Sequence, residues 1–289
     1  MHFVFLAVLF FFFQNIANKE YGRRFDSGVK TLFPFHVISH IAMILPLVCI
    51  GVSVKMPRIG LLYAFLYACA FLSAIMMLMK TLTLGPIGKT TLIVNLSMLL
   101  PMLLGVLFWE EKLNVYNIIG IPCVLLTLFL SVPAKSNGEK ANAKWTVSVL
   151  ITFLLDGLLS VIQKLFLRAV GDEYSVSFVL VSAIFGLVIA AIISLAFYLK
   201  DQKLSIPGGK NLLPFAFIAF VVGASTALAT MFNMMSLTLL SGVIVFPVRQ
   251  GGLILLITLY GMIRYKDKFD LKTLIMLLSG LLGIILLNL

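Results

Sequence analysis

The chain has 289 residues, of which 61% are hydrophobic and only 11% are charged. Soluble domains contain roughly 45–50% apolar and about 25% charged residues, so this composition excludes an ordinary soluble fold. The net charge of +11 comes from lysines and arginines in short gaps between apolar runs, not from the continuous basic face that nucleic-acid binding requires. We therefore expect a multi-pass integral membrane protein, most simply of the plasma membrane, surrounded by lipid and without a nucleic-acid partner.

Ten apolar runs are long enough to be membrane-spanning helices, because a hydrocarbon layer of ~30 Å takes roughly 20 residues to cross. The runs lack strict alternation and are too long for barrel strands, which favours helix. The predicted spans are 3–20, 32–54, 59–79, 86–109 and 115–133, followed by 145–168, 174–199, 212–235, 240–263 and 271–288. A polar linker at 135–144 separates the domain 1–134 from the domain 145–289.

The two halves of the chain align with each other, as copies of one unit do. An offset of 156 residues aligns Glu111 with Asp267, and an offset of 145 residues aligns Lys19 with Lys164. Because each copy has an odd number of helices, the second copy enters the membrane from the opposite side. The predicted fold is all-α, with ten transmembrane helices arranged as two inverted five-helix repeats around a central cavity.

The aligned segments resemble a known transporter family. The stretch from Gly85 to Val132, with Pro101, Gly105 and the run Trp109-Glu-Glu-Lys-Leu, resembles the C-terminal part of an EamA-type repeat of the drug/metabolite transporter superfamily. The resemblance implies ten helices around a central cavity and transport by alternating access.

The second copy is also similar to the small multidrug resistance transporters of that superfamily. The similarity lies in its last turn and helix, and in the spacing of eight residues between Asp156 and Lys164. The first copy departs from this pattern, since Phe11 stands where the second copy has Asp156. A symmetric pair of membrane carboxylates is therefore absent.

Membrane orientation is left open by two indications that disagree. Lysines are in excess on the face opposite the termini, and the positive-inside rule would then place both termini outside. The family resemblance implies that both termini are cytoplasmic.

Asp156 is the strongest candidate for a functional group. It lies near the middle of a predicted span, where an acidic side chain costs roughly 2.5–3.5 kcal/mol on insertion scales. The functional interpretation is a site that couples proton exchange to substrate movement. The alternative is a structural counter-ion for a nearby cation, and we favour the functional interpretation because intramembrane ionisable groups usually serve function.

Arg249 is the arginine lying deepest in a predicted span, and Gln250 is its polar neighbour. Pro247 removes one backbone donor from this helix, so Arg249 could cap a freed carbonyl group. Alternatively, its guanidinium group binds a carboxylate or phosphate of the substrate. A broken helix at mid-depth is where transporters place such sites.

The remaining candidates for substrate binding are polar residues within or at the ends of predicted spans: Lys164, Gln163, Asn95, Asn18 and Asn233. Lys164 and Gln163 are expected at the mouth of the cavity, with Lys19 and Asn18 in the equivalent place of the first copy. Snorkelling to the interface is the other interpretation, and we favour it for Lys19.

His36 and His40 share a helix face, but no further ligand lies near them in sequence, so we expect no metal site and no cofactor. We interpret the two histidines as polar packing or interfacial residues. The clusters Glu110-Glu111 and Asp267/Asp270 lie in predicted solvated turns and are interpreted as turn and helix-cap features. Without a convergent catalytic constellation, an enzyme is not expected.

The leading hypothesis is a secondary active transporter, coupled to protons, for a small polar organic metabolite. The mid-membrane cations favour an anion or a zwitterion such as an amino acid. The alternatives are an exporter of multiple drugs and organic cations that uses Asp156, or, with less support, a flippase for lipid-linked substrates. The sequence does not distinguish import from export, or a monomer from a homodimer.

Overall fold

The computed structural model describes residues 2–25, 28–84, 90, 93–131, 143–201, 206–265 and 270–287. Within these ranges the fold is all-helical, as predicted. The helices are α1 (His2–Arg24), α2 (Val29–Cys49), α3 (Arg58–Leu84), α4 (Leu99–Phe108), α5 (Val115–Ser131), α6 (Ala143–Val170), α7 (Ser175–Asp201), α8 (Leu212–Leu239), α9 (Gly242–Tyr265) and α10 (Leu271–Leu286).

Seven helices of the described residues are long and apolar enough to cross a membrane: α1, α2, α3, α6, α7, α8 and α9. The other three apolar helices are shorter and cover Ile93–Phe108, Val115–Leu130 and Leu271–Leu286. An integral multi-pass membrane protein is therefore supported. The exact arrangement of ten spans as two inverted repeats stays a prediction.

The predicted boundaries differ from the observed ones in identifiable places. The second span was predicted to reach residue 54, but α2 ends at Cys49 and residues 52–57 are not helical. Most of the predicted linker lies outside the described residues, and its last two positions, Ala143 and Lys144, already belong to α6.

Packing between helices joins the first half of the chain to the second half. α1 lies against α8, and α3 lies against α6. The first helix of each half therefore packs against the third helix of the other half. α2 packs on α7 and α8, and α5 packs on α10. The halves are therefore interleaved and not separate bundles.

Small residues allow two of these helix pairs to approach closely, as is common in membranes. On α10, Gly283 lies against the backbone of Gly120 on α5, and a Cβ atom at Gly283 would lie 3.0 Å from the Gly120 carbonyl oxygen. On α8, Gly223 faces α2, where a Cβ atom would lie 2.0 Å from the carbonyl oxygen of Ser39. α8 can keep this position only without a side chain at residue 223.

The last helix of each half begins at an aligned capping residue. Asn114 accepts a hydrogen bond from the backbone N–H of Asn117 at 2.7 Å, at the start of α5. Asp270 accepts one from the backbone N–H of Thr273 at 2.8 Å, at the start of α10. The cap predicted for Asp270 is confirmed, because its carboxylate satisfies a backbone donor that the first helical turn leaves free.

Candidate functional site

A polar cavity of about 290 Å³ lies inside the helical assembly, between side chains of α1, α3, α6, α8 and α9 and the segment before α4. Burying polar groups costs free energy unless they find partners, so a polar cavity inside an apolar protein marks a place for water or ligand. Its charged and amide lining consists of Gln14, Asn15, Asn18, Asn95, Asp156, Gln163, Arg249 and Gln250.

Asp156 lies half-buried on α6 and lines this cavity. Its Oδ2 atom accepts a short hydrogen bond, 2.5 Å, from the hydroxyl group of Ser97. Ser97 belongs to the 3₁₀ turn Leu96–Met98 before α4, and Gly157 lets this turn come close, since a Cβ atom there would lie 3.1 Å from the Ser97 carbonyl oxygen. The carboxylate thus has a fixed partner on one side and the cavity on the other.

Arg249 lies on α9, two residues after Pro247, and lines the same cavity. Its guanidinium carbon lies 5.4 Å from the ring centroid of Phe11 and 5.5 Å from that of Phe246. Aromatic faces attract a cation at such distances. Arg249 is therefore held against two rings and faces the cavity that Asp156 also lines.

A chain of hydrogen bonds leads from Arg249 into the protein. The Arg249 Nη1 atom donates to Asn233 Oδ1 at 3.4 Å, and Asn233 Nδ2 donates to Gln163 Oε1 at 3.0 Å. Gln163 Nε2 in turn donates to the hydroxyl oxygen of Tyr67 at 3.2 Å. Asn233 is fully buried behind the cavity wall, so it positions Arg249 and Gln163 and does not face the cavity itself.

The cavity walls formed by α1 and α6 correspond under the sequence offset of 145 residues. Four residues of α1 line the cavity, and the four aligned residues of α6 line it as well. The aligned pairs are Phe11 with Asp156, Gln14 with Leu159, Asn15 with Ser160, and Asn18 with Gln163. The two walls thus use equivalent positions but differ in chemistry, since only α6 supplies a charge.

The structure places Lys164 outside this cavity, in contrast to the expectation from sequence. Its ammonium group forms an ion pair with Glu111, and it lies 5.3 Å from the ring centroid of Trp109. Both charged side chains are about nine-tenths buried, so the interpretation of Glu111 as a residue of a solvated turn is wrong. The reason is tertiary: the turn between α4 and α5 folds back onto α6, which apolar patterning does not reveal.

Glu111 also caps a helix, as predicted for its cluster, but the helix is a distant one. Its Oε2 atom accepts a hydrogen bond of 3.1 Å from the backbone N–H of Val243, in the first turn of α9. Gly105 makes room for the carboxylate, since a Cβ atom there would lie 2.7 Å from Oε2. One carboxylate therefore joins the α4–α5 turn, α6 and the start of α9.

Lys19, which aligns with Lys164, lies in a different environment. Lys19 and its neighbour Asn18 are exposed, whereas Lys164 is buried in its ion pair. Asn18 lines the central cavity, and Lys19 lines a second chamber that continues from it. The cavity is therefore open towards the C-terminal end of α1.

Several residues of the site were not singled out from the sequence, namely Gln14, Tyr67, Thr226 and Thr230 in the cavity lining and Ser97, which donates to Asp156. Gln14 donates to the hydroxyl group of Thr226 at 2.7 Å, which bridges α1 and α8. Hydroxyl groups give little signal in sequence, because many of them bond to their own helix, as Thr226 does to the carbonyl oxygen of Val222. Gln14 could have been found from its place beside Asn15 in an apolar helix.

Metal binding has no candidate among the residues that the structure describes, since no three His, Cys, Asp or Glu side chains converge there. The three described cysteines, Cys49, Cys69 and Cys123, are free thiols.

The fold and the cavity together define a multi-pass membrane protein with a polar site within its helices. Residues 1–132 match the model of the EamA-like transporter family. The resemblance to the drug/metabolite transporter superfamily, predicted from sequence, is thereby confirmed for the first half of the chain. The match indicates a membrane transporter.

A solved crystal structure is similar to this chain with a TM-score of 0.75 and 16% sequence identity. The similarity covers 98% of this chain and 94% of the other, so both halves of the fold are included. At this identity the likeness establishes the fold alone. None of the curated proteins compared with this chain matches its sequence.

Proposed function

We propose that this protein is a proton-coupled secondary transporter for a small polar organic anion or zwitterion, such as an amino acid. The observation that carries the proposal is that Asp156 and Arg249 face one polar cavity inside the helical assembly. A zwitterion presents both charges, and a fixed guanidinium group binds carboxylates well.

Arg249 is the group that would hold the substrate carboxylate. It is kept in place by two aromatic rings and by the buried Asn233, so little conformational entropy is lost when the substrate binds. Gln250 and Asn95 line the same cavity and offer further hydrogen bonds.

Asp156 is the group that would exchange a proton. Its bond with Ser97 occupies one carboxylate oxygen and leaves the other to meet the cavity. A carboxylate that binds a proton and a substrate cation alternately links the movement of the proton to the movement of the substrate. This linkage is the basis of coupled transport.

Alternating access requires that one side of the cavity close while the other is open. The Glu111–Lys164 ion pair is the observation that favours a closed side of the cavity at the start of α9. The exposure of Asn18 and Lys19 is the observation that favours an open side at the end of α1.

A thermal stability screen of the purified protein against a panel of metabolites, at two pH values, tests this proposal. Ligands that bind only the folded state stabilise it, by about 2.7 kcal/mol at a concentration of one hundred times Kd. We expect amino acids or organic anions to stabilise the wild-type protein but not the Arg249→Gln variant. Arg168→Gln, which removes an exposed arginine at the end of α6, is the matched control.

The alternative is an exporter of organic cations that neutralise Asp156. Aromatic residues Phe11, Tyr67 and Phe71 in the cavity lining favour it, because aromatic rings attract cations. A screen in which hydrophobic cations stabilise the protein, while amino acids and organic anions do not, would overturn the proposed substrate class.

A further inference from the structure

A second chamber, of about 390 Å³, continues from the central cavity. The two spaces share seven lining residues on α1, α3 and α8, namely Gln14, Asn15, Asn18, Phe71, Ile75, Leu78 and Thr226. Together they extend along α1 from Phe11 to Tyr21, which is about 15 Å at 1.5 Å per residue. This length exceeds what a single amino acid of small side chain occupies.

His36 on α2 lines the second chamber and is 6% exposed. Its Nε2 atom has no hydrogen-bond partner among the residues that the structure describes. A buried nitrogen without a partner costs free energy, because it has lost its hydrogen bond with water. In this structure Nε2 itself touches no open space, so a ligand in the chamber becomes its missing partner only after the imidazole ring turns towards that space.

The neighbours of His36 indicate which partner it needs. The Ser39 hydroxyl group donates to the carbonyl oxygen of His36 at 3.1 Å, so its single proton is already used. The same Ser39 oxygen lies 3.4 Å from His36 Nδ1 and can then only accept a proton from it. With the Ser39 hydroxyl group placed in this way, the imidazole proton is assigned to Nδ1 and Nε2 is an acceptor.

We propose that His36 accepts a hydrogen bond from a second polar group of the substrate, which is therefore elongated. The inference rests on the proposed function: the charged head lies between Asp156 and Arg249. The middle of the substrate passes Phe71, Ile75 and Leu78, which are apolar and shared by both chambers. A donor at the far end, such as a hydroxyl, amide or amine group, reaches His36 Nε2.

Matched pairs of compounds test the donor at the far end. Three pairs that differ only in a terminal hydroxyl group represent the three head groups: norleucine and 6-hydroxynorleucine, hexanoate and 6-hydroxyhexanoate, and hexyltrimethylammonium and its 6-hydroxy derivative. For the head group that binds, we expect the hydroxyl compound to bind about two- to tenfold more tightly, as one hydrogen bond provides. The difference should vanish in His36→Phe and persist in His36→Gln, which keeps an acceptor.

A labelling experiment tests the chamber independently of any substrate. In a variant with Cys49, Cys69 and Cys123 replaced by serine, His36→Cys should react with a charged methanethiosulfonate reagent in membranes. Leu47→Cys, at a fully buried position of the same helix, is the unreactive control.

The outcomes separate the two proposals. Failure of labelling at position 36, or a hydroxyl preference that survives in His36→Phe, overturns the role of His36 while leaving the central site intact. Labelling at position 36 with no stabilisation by any of the three head groups overturns the proposed function and leaves the second chamber as an accessible space.

Discussion

Lys164 on α6 forms a buried ion pair with Glu111, which also accepts the backbone N–H of Val243 at the start of α9. The pair thus ties α6, which carries Asp156, to α9, which carries Arg249. These two helices hold the charged groups of the cavity, so the ion pair fixes their relative position at one end.

Removing one partner of this pair should destabilise the protein strongly, because the other charge stays buried without compensation. We expect Lys164→Met to lower the free energy of unfolding by about 3–5 kcal/mol, measured by thermal or denaturant unfolding in detergent. Lys112→Met, next to Glu111 in sequence but at an exposed position, should change it by no more than about 0.5 kcal/mol.

The double variant Lys164→Met/Glu111→Gln provides the control for the pair. It should be clearly more stable than Lys164→Met alone, since no charge is left unpaired. Additive effects of the two substitutions would contradict a direct interaction.

Asn233 should act by positioning Arg249. In Asn233→Leu the Nη1 atom of Arg249 and the Oε1 atom of Gln163 lose their partners, at a cost of about 1–3 kcal/mol. We expect weaker substrate binding, measured as an increased KM for uptake into proteoliposomes. Unchanged KM together with lowered stability would mean that Asn233 only supports the fold.

Gly223 should tolerate no side chain. In Gly223→Val the new atoms would overlap the carbonyl oxygen of Ser39, which belongs to the α2 backbone and cannot rotate away. We expect loss of stability of about 1–3 kcal/mol or more, or failure to accumulate in membranes. Gly22→Val, where no atom lies within 4 Å of the added Cβ, is the matched control and should behave almost like the wild type.

Asp270 makes the start of α10 sensitive to pH. Its side chain accepts hydrogen bonds from the hydroxyl and the backbone N–H of Thr273, and these bonds lower the pKa of the carboxyl group. A lowered pKa in the folded state means that the stabilisation is present above the unfolded pKa and is lost as the pH falls through the folded pKa.

The corresponding measurement compares the melting temperature of the wild type with that of Asp270→Ala across the acidic range. The wild type should be more stable at neutral pH, and the difference should shrink as the carboxyl group becomes protonated. A difference that is constant down to the most acidic conditions would show that the charge of Asp270 contributes nothing.

The helices could be predicted from sequence because a bilayer requires long apolar runs. The cap at Asp270 could be predicted because short polar side chains commonly begin helices. The cavity was foreseeable only where a charged or amide side chain interrupts an apolar run, as at Asp156 and Arg249. Tyr67 and Ser97 escaped notice since such residues are ordinary in membrane helices. Only the folded chain brings Tyr67 to the cavity and Ser97 to Asp156.

Lys164 was predicted from sequence to line the cavity, but in the structure it lies outside it. Its position beside Gln163 made both residues equal candidates, yet neighbours on a helix point in directions about 100° apart. Gln163 lines the cavity and Lys164 faces the α4–α5 turn. Sequence spacing identifies the helix face only when the partner helices are known.

Uptake driven by a pH gradient in proteoliposomes tests the proposed coupling role of Asp156 most directly. For Asp156→Asn we predict that gradient-driven uptake is lost, while exchange of labelled for unlabelled substrate without a gradient continues. Asp156→Glu should retain part of the response, since it keeps a carboxylate. Uptake by Asp156→Asn that remains undiminished and still follows the pH gradient would show that Asp156 does not couple protons to transport.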